Sequence, residues 1–219
     1  MALQNIQLRK LLMMGFAPNR LRRAELKGDI RIERQKLAGI NSSGPDFYGP
    51  FWADAKAHTF GEKDLTQATE QRIADNWRRR NLYPRLRDGF LLWWNERRRL
   101  TNATVRAGDV QKARFEILGL AATVRIDSIL SVTDGAGTNR YVYPYFAPEP
   151  ELDDQAARLG LWLLGRALPD VPHQEIRILD VIRGRTFSVD RTPLQGDEEA
   201  QFRRMYEGLI HERDGLRGD

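Results

Sequence analysis

The sequence predicts an α+β fold: a three-strand meander, a helix and further strands in one mixed sheet flanked by helices, with an N-terminal helical extension. Three observations lead there. Apolar residues recur at helical spacing as far as Trp94, whereas after Asn102 the chain turns to β-branched and aromatic runs separated by turn signals. Between two of those runs lies Gln155–Leu168, apolar nearly all round, as a helix buried against a sheet would be. At 219 residues, 41% of them hydrophobic and 30% charged, the chain is long enough for one substantial core.

Residues 1–40 read as helix, broken near Ala17-Pro18-Asn19 and ending at Gly39. Asn41-Ser42-Ser43-Gly44-Pro45-Asp46 is turn chemistry, and Phe47-Tyr48-Gly49-Pro50-Phe51-Trp52 follows as an aromatic loop. Its rings either pack onto the core or form a stacking platform. Thr66 or Thr69 is expected to cap a long helix towards Arg99, bent before Pro84. Leu82, Leu86, Phe90, Trp93 and Trp94 share one stripe of it, bracketed by Arg78-Arg79-Arg80 and Arg97-Arg98-Arg99. Strands follow at Phe115–Leu118, Ala122–Val132 and Arg140–Phe146, the last two joined by Thr133-Asp134-Gly135-Ala136-Gly137. After the buried helix come Ile176–Ile182, a shorter strand at Thr186–Val189, and an amphipathic helix over Gly196–His211. Two parts are expected: an extension with its aromatic loop (1–64) and the α/β core with the C-terminal helix (65–219).

Charge divides the chain. Residues 1–112 carry 22 Lys and Arg against 12 Asp and Glu, and residues 113–219 carry 13 against 18. A basic half suits a polyanionic partner, and equally suits docking on the acidic half or a solvated face. No apolar run reaches the roughly 18–20 residues of a membrane-spanning helix, and no secretory signal is read, so a cytoplasmic address and no membrane partner are expected. Without cysteine there is no disulfide, thiol catalysis or thiolate zinc site. Asp54 and His58 have the spacing of a helical metal pair but lack a third ligand.

From Leu82 the order helix, three strands, helix, strand resembles the common core of the PD-(D/E)XK nuclease superfamily, over about residues 82–190. That resemblance implies an acid on the first helix, an Asp on the second strand and an acid-x-Lys on the third. Together these would hold Mg²⁺ or Mn²⁺ and activate water. Asp127 stands where the family places its metal-binding Asp, though an Asp paired with a neighbouring Arg would look the same. Glu96 is the candidate helix acid or a surface ion-pairing group, and Glu116 would join Asp127 as a metal ligand if register and face agree. The third strand departs from the pattern: Tyr143-Pro144-Tyr145 replaces acid-x-Lys, and no lysine follows Lys112. Arg158, on the second helix, would replace the lysine's charge but not its basicity.

The sequence reading is therefore a catalytically degenerate PD-(D/E)XK-like domain without a cofactor, acting as a DNA-associated binding or accessory protein in bacterial nucleic-acid metabolism or defence. Two alternatives stay open: an active divalent-metal nuclease with Glu96, Glu116, Asp127 and Arg158 as a relocated site, and an interaction subunit whose partner is another protein or itself. Expected nucleic-acid contacts are Arg78, Arg79, Arg80, Arg85, Arg87, Arg97, Arg98 and Arg99, with Trp52 or Trp77 stacking on bases.

Overall fold

The computed structural model describes residues 3–40, 46–100 and 105–218. The fold is α+β. A short strand β1 (Asn5–Gln7) leads into α1 (Leu8–Phe16), and the break at Pro18 starts α2 (Asn19–Leu37). Next come α3 (Tyr48–Thr59) and α4 (Leu65–Asp75), a single 3-10 turn at Trp77–Arg79, and α5 (Tyr83–Leu100). The strands β2 (Arg106–Ala107), β3 (Ala113–Ile117), β4 (Ala122–Ile126), β5 (Leu130–Thr133) and β6 (Asn139–Tyr145) precede α6 (Asp154–Ala167). The chain closes with β7 (Ile176–Asp180), β8 (Arg185–Phe187) and α7 (Glu198–Gly218).

The aromatic stretch expected as a loop is helical. Asp46 Oδ1 accepts from the backbone N–H groups of Tyr48 and Gly49, at 3.0 and 2.9 Å, capping α3. Pro50 costs no hydrogen bond, because first-turn N–H groups have no partner within the helix. The long helix expected from Thr66 to Arg99 is two helices. Asp64 rather than a threonine caps the first, accepting from Gln67 N–H at 2.8 Å, and Asn76 is extended (φ −152°, ψ 99°), which ends it before the arginine triplet.

The strands form two sheets rather than one. β1 pairs parallel with β4, and β3 antiparallel with β4, in the order β1-β4-β3. The larger sheet runs β2-β5-β6-β7-β8, with β6 and β7 parallel across the α6 crossover and its other pairs antiparallel. The expected strand over Ala122–Val132 breaks at Asp127-Ser128-Ile129, where Ser128 adopts φ +67°, a left-handed conformation that a non-glycine residue holds only when its surroundings impose it. α3 imposes it here: Trp52 Nε1 donates to the Ser128 carbonyl, and Lys56 Nζ to the Ile129 carbonyl at 2.7 Å.

Side-chain alternation along β6 and β7 feeds two cores. Tyr141, Tyr143, Tyr145, Ile176 and Ile178 face α1, α6, α7 and the smaller sheet, while Val142, Phe146, Leu179 and Val181 face α3 and α5. The N-terminal segment is woven into both cores rather than appended to them: Leu8, Leu11 and Leu12 enter the first, and Phe51 and Trp52 the second. At about 25 cal/mol per Å² of apolar surface, burying side chains of this size contributes roughly 1.5–3 kcal/mol each. α5 sits so close to the end of β7 that a Cβ on Gly89 would come within 2.2 Å of the Val181 carbonyl oxygen, which is why glycine interrupts its apolar stripe.

Candidate functional site

Asp127 lies at the junction between the two sheets, held by the N-terminal segment. Gln7 Nε2 donates to both carboxylate oxygens at 3.4 and 3.3 Å, Arg9 Nη1 reaches Oδ1 at 3.3 Å, and Ser128 Oγ donates at 3.1 Å. Arg9 is fixed in turn. Its guanidinium lies 5.6 Å from the centroid of the Phe146 ring, which stacks on Tyr48 at 5.0 Å, and its backbone N–H donates to the Tyr143 hydroxyl at 3.0 Å. Burial pushes the Tyr143 phenol up to about 12, so it stays protonated. Lys56 also faces this corner, and burial, then the Lys112 charge, lower its pKa against the opposing pull of Asp127.

The other proposed metal ligands are elsewhere. Glu116 is exposed and sits opposite Thr123, four residues along β4 from Asp127, which at ~3.3 Å per residue is about 13 Å. Glu96 is exposed on α5, on the other face of the larger sheet, in a cavity with Arg97, Arg185 and Arg191. Arg158 approaches Glu198 to 3.5 Å, and Glu198 accepts from the backbone N–H groups of Gln195 and Gly196, so this pair secures the start of α7. The four expected catalytic residues do not converge, and the carboxylates do not fit one divalent ion. No group of three or more His, Asp or Glu able to hold a metal occurs among the described residues. The Asp54–His58 pair is likewise divided: Asp54 is buried against Lys63 (2.7 Å) and Arg72 (2.8 Å), whereas His58 Nδ1 meets the Lys63 carbonyl oxygen and the Leu65 N–H.

The expected nucleic-acid contacts separate into engaged and open groups. Trp52, 3% exposed, is a core residue with its indole N–H committed, so it cannot stack on a base. Arg79 lies over Tyr83 at 5.3 Å and donates to the Arg72 carbonyl, and Arg87 pairs with Asp88 at 2.7 Å. The side chains of Arg98 and Arg99 lie outside the described residues. Open to solvent are Arg78, Arg80 and Arg85, together with Trp77, which is 63% exposed and carries the Arg80 guanidinium 4.7 Å from its ring centroid. The turn at Asn76 sets this patch on a corner ahead of α5, with Asn76 Oδ1 accepting from Arg78 N–H at 3.1 Å.

Arg97 belongs to a different group. Its guanidinium lies over Trp93 at 5.6 Å, and burial, then the charges of Arg177, Arg140 and Arg191, lower its pKa. Sequence reasoning missed Arg9, Lys56, Arg140, Arg177 and Arg191. For Arg140 and Arg177 a signal existed, since two-residue alternation places each opposite the tyrosine or isoleucine face of its strand. Comparison with protein-family models, with curated proteins and with solved structures finds no match to this chain.

Proposed function

We propose that this chain is a nucleic-acid-binding accessory protein built on a catalytically degenerate PD-(D/E)XK-like scaffold, of use in bacterial nucleic-acid metabolism or defence. The observation carrying this reading is the Trp77–Arg80 stack on an open corner, flanked by exposed Arg78 and Arg85. An exposed indole with a guanidinium on its face offers a base a sequence-tolerant stacking surface, and the neighbouring arginines match backbone phosphates. The absence of cleavage is argued from Asp127, whose carboxylate is already occupied by Gln7 and Arg9. The succession α5, β2, β5, β6, α6 and β7, whose strands are neighbours in the larger sheet, supports the scaffold reading, with β3 and β4 departing into the smaller sheet.

A gel-shift titration of a single-stranded oligonucleotide tests it. Three phosphate contacts give a slope of log affinity against log salt near −2, so affinity falls about 20-fold between 50 and 200 mM salt. Trp77→Ala should cost about 1–3 kcal/mol of binding. No binding at 50 mM salt, or binding without a salt slope, removes the proposal. Cutting of DNA in Mn²⁺ that Asp127→Ala abolishes would restore the nuclease alternative.

A further inference from the structure

The far end of α5 carries a second basic feature with no part in the stacking patch. A cavity of about 580 Å³ opens there, lined among others by Trp93, Arg97, Phe187 and Arg191. Two further arginines stand beside it on the sheet, as the register shows. Arg177 on β7 pairs with Val142 on β6, and Val142 and Leu179 belong to the α5-facing core, so Arg140 and Arg177 present on that same face. Arg177 is only 9% exposed and is locked in place by donating to the carbonyls of Gln174 and Ile176. Arg97 and Arg191 thus line the cavity, and Arg140 and Arg177 on the neighbouring strands stand close enough for their charges to act on Arg97.

The acids nearby do not balance them. Asp190 sits 3.4 Å from Arg177 with its side chain 56% exposed, and Glu175 adds a more distant negative charge. Asp154 is taken by Arg185 at 3.0 Å, and Glu96 stands exposed in the lining. Gathering like charges where solvent is partly excluded is unfavourable unless an anion joins them. Guanidinium forks match phosphate oxygens in pairs, and a phosphomonoester carries close to two charges at pH 7. Trp93 and Phe187 lie at the buried side of the lining, their rings carrying the Arg97 and Arg185 guanidinium groups at 5.6 and 4.6 Å, and the volume falls within the usual range of about 300–1,000 Å³ for small-molecule sites.

We propose that this cavity binds a phosphomonoester, the 5′-phosphate of a nucleotide either free or at the end of a strand. The site is separate from the Trp77 patch: Tyr83 to Arg97 alone spans about 21 Å of helix, so the two proposals stand or fall independently.

Isothermal titration at constant ionic strength, with the full chain, tests it using inorganic phosphate, a nucleoside 5′-monophosphate, the parent nucleoside, and one oligonucleotide with and without a 5′-phosphate. The expected result is binding of the monophosphate and none of the nucleoside. If the oligonucleotide binds more than fivefold tighter with its 5′-phosphate and the free monophosphate does not bind, the ligand is a strand end; binding of the free monophosphate identifies the nucleotide. Arg97→Gln and Arg191→Gln should each weaken binding tenfold or more, Glu96→Gln should tighten it a few-fold by removing a like charge, and Arg80→Gln should change nothing. Because Arg191 is exposed, its variant keeps the fold, which an unchanged melting temperature verifies. Equal affinity for phosphorylated and unphosphorylated ligands, or phosphate binding indifferent to Arg97→Gln and Arg191→Gln, overturns the proposal.

Discussion

The Asp127 corner and the Arg97 cavity are both charged regions at the margins of the sheets, and they are charged in opposite ways. At the corner the cations packed against the sheet junction have partners: Arg9 meets Asp127, Lys10 meets Asp29 at 2.6 Å, and Lys56 donates to the Ile129 carbonyl. Asp54, two residues before Lys56 and buried on the inner side of α3, closes the set with Lys63 and Arg72. In and beside the cavity, Arg97, Arg140, Arg177 and Arg191 face three acids, Glu96, Glu175 and Asp190, and only Asp190 comes within ion-pair distance of one of them. Saturated charges hold a fold together, and unsaturated ones wait for something else. Resemblance of layout placed a metal-binding Asp at the corner, whereas the charge balance favours the cavity as the place where we propose that a ligand binds.

The largest test of that contrast is Trp52→Ala. It removes a buried indole and one of the two bonds imposing the left-handed turn at Ser128, so a loss of about 3–5 kcal/mol in urea unfolding is expected. Loss below about 1 kcal/mol would mean that α3 does not define the junction.

Asp54→Asn comes next, at about 2 kcal/mol, discounted because Lys63 and Arg72 are partly solvated. Burial opposes ionisation of Asp54, but its bonds to Arg72 and Lys63 prevail and hold its pKa below the ordinary 3.8. A depressed carboxylate contributes stability in full above its unfolded pKa and loses it as pH falls through the folded value. The gap between native protein and variant should therefore be constant above about pH 5 and close below pH 4, read from urea midpoints across that range. A gap that widens in acid would reverse the assignment.

Arg9→Met should cost about 1 kcal/mol, since Asp127 retains Gln7, Ser128 and some solvent, and the methionine stem keeps part of the Phe146 contact. Oligonucleotide binding should be unaffected, as a gel shift would show. A binding defect without a stability defect would return the corner to functional status.

Legibility in the sequence tracked the range of the interaction concerned. The apolar stripe Leu86, Phe90, Trp93 and Trp94, the hairpin at Asp134 and the buried helix α6 were all readable, because each depends on neighbours within one or two turns of chain. The division into two sheets was not, because Ala122–Val132 contains no Gly or Pro and its break is imposed by Trp52 and Lys56, more than seventy residues away. β1 has only three residues, and its pairing with β4 spans over a hundred positions. α3 was misread through Gly49 and Pro50, where the capping geometry of Asp46 outweighs the turn signal. The arginines beside the cavity follow the same rule: Arg140 and Arg177 share a face only because β6 and β7 pair in parallel across α6.

The smallest effect separates the two regions most sharply, because its sign differs. Arg191 is exposed and adds to a cluster already in excess, so Arg191→Gln removes repulsion on Arg97 and Arg177, and among the described residues its side chain makes no hydrogen bond or ion pair to lose. In phosphate-free buffer its stability should equal or exceed that of the native protein, by no more than about 0.5 kcal/mol, the usual bound for surface changes. The increment should shrink as salt rises, since screening acts on exposed charges within about 10 Å at 0.1 M. With phosphate present the order should invert, because a ligand bound only by the folded native protein stabilises it by mass action. Urea midpoints at low salt, at high salt and with phosphate read all three. An Arg191→Gln variant that is less stable in every condition would show the arginines to be structurally satisfied, and the contrast between corner and cavity would then disappear.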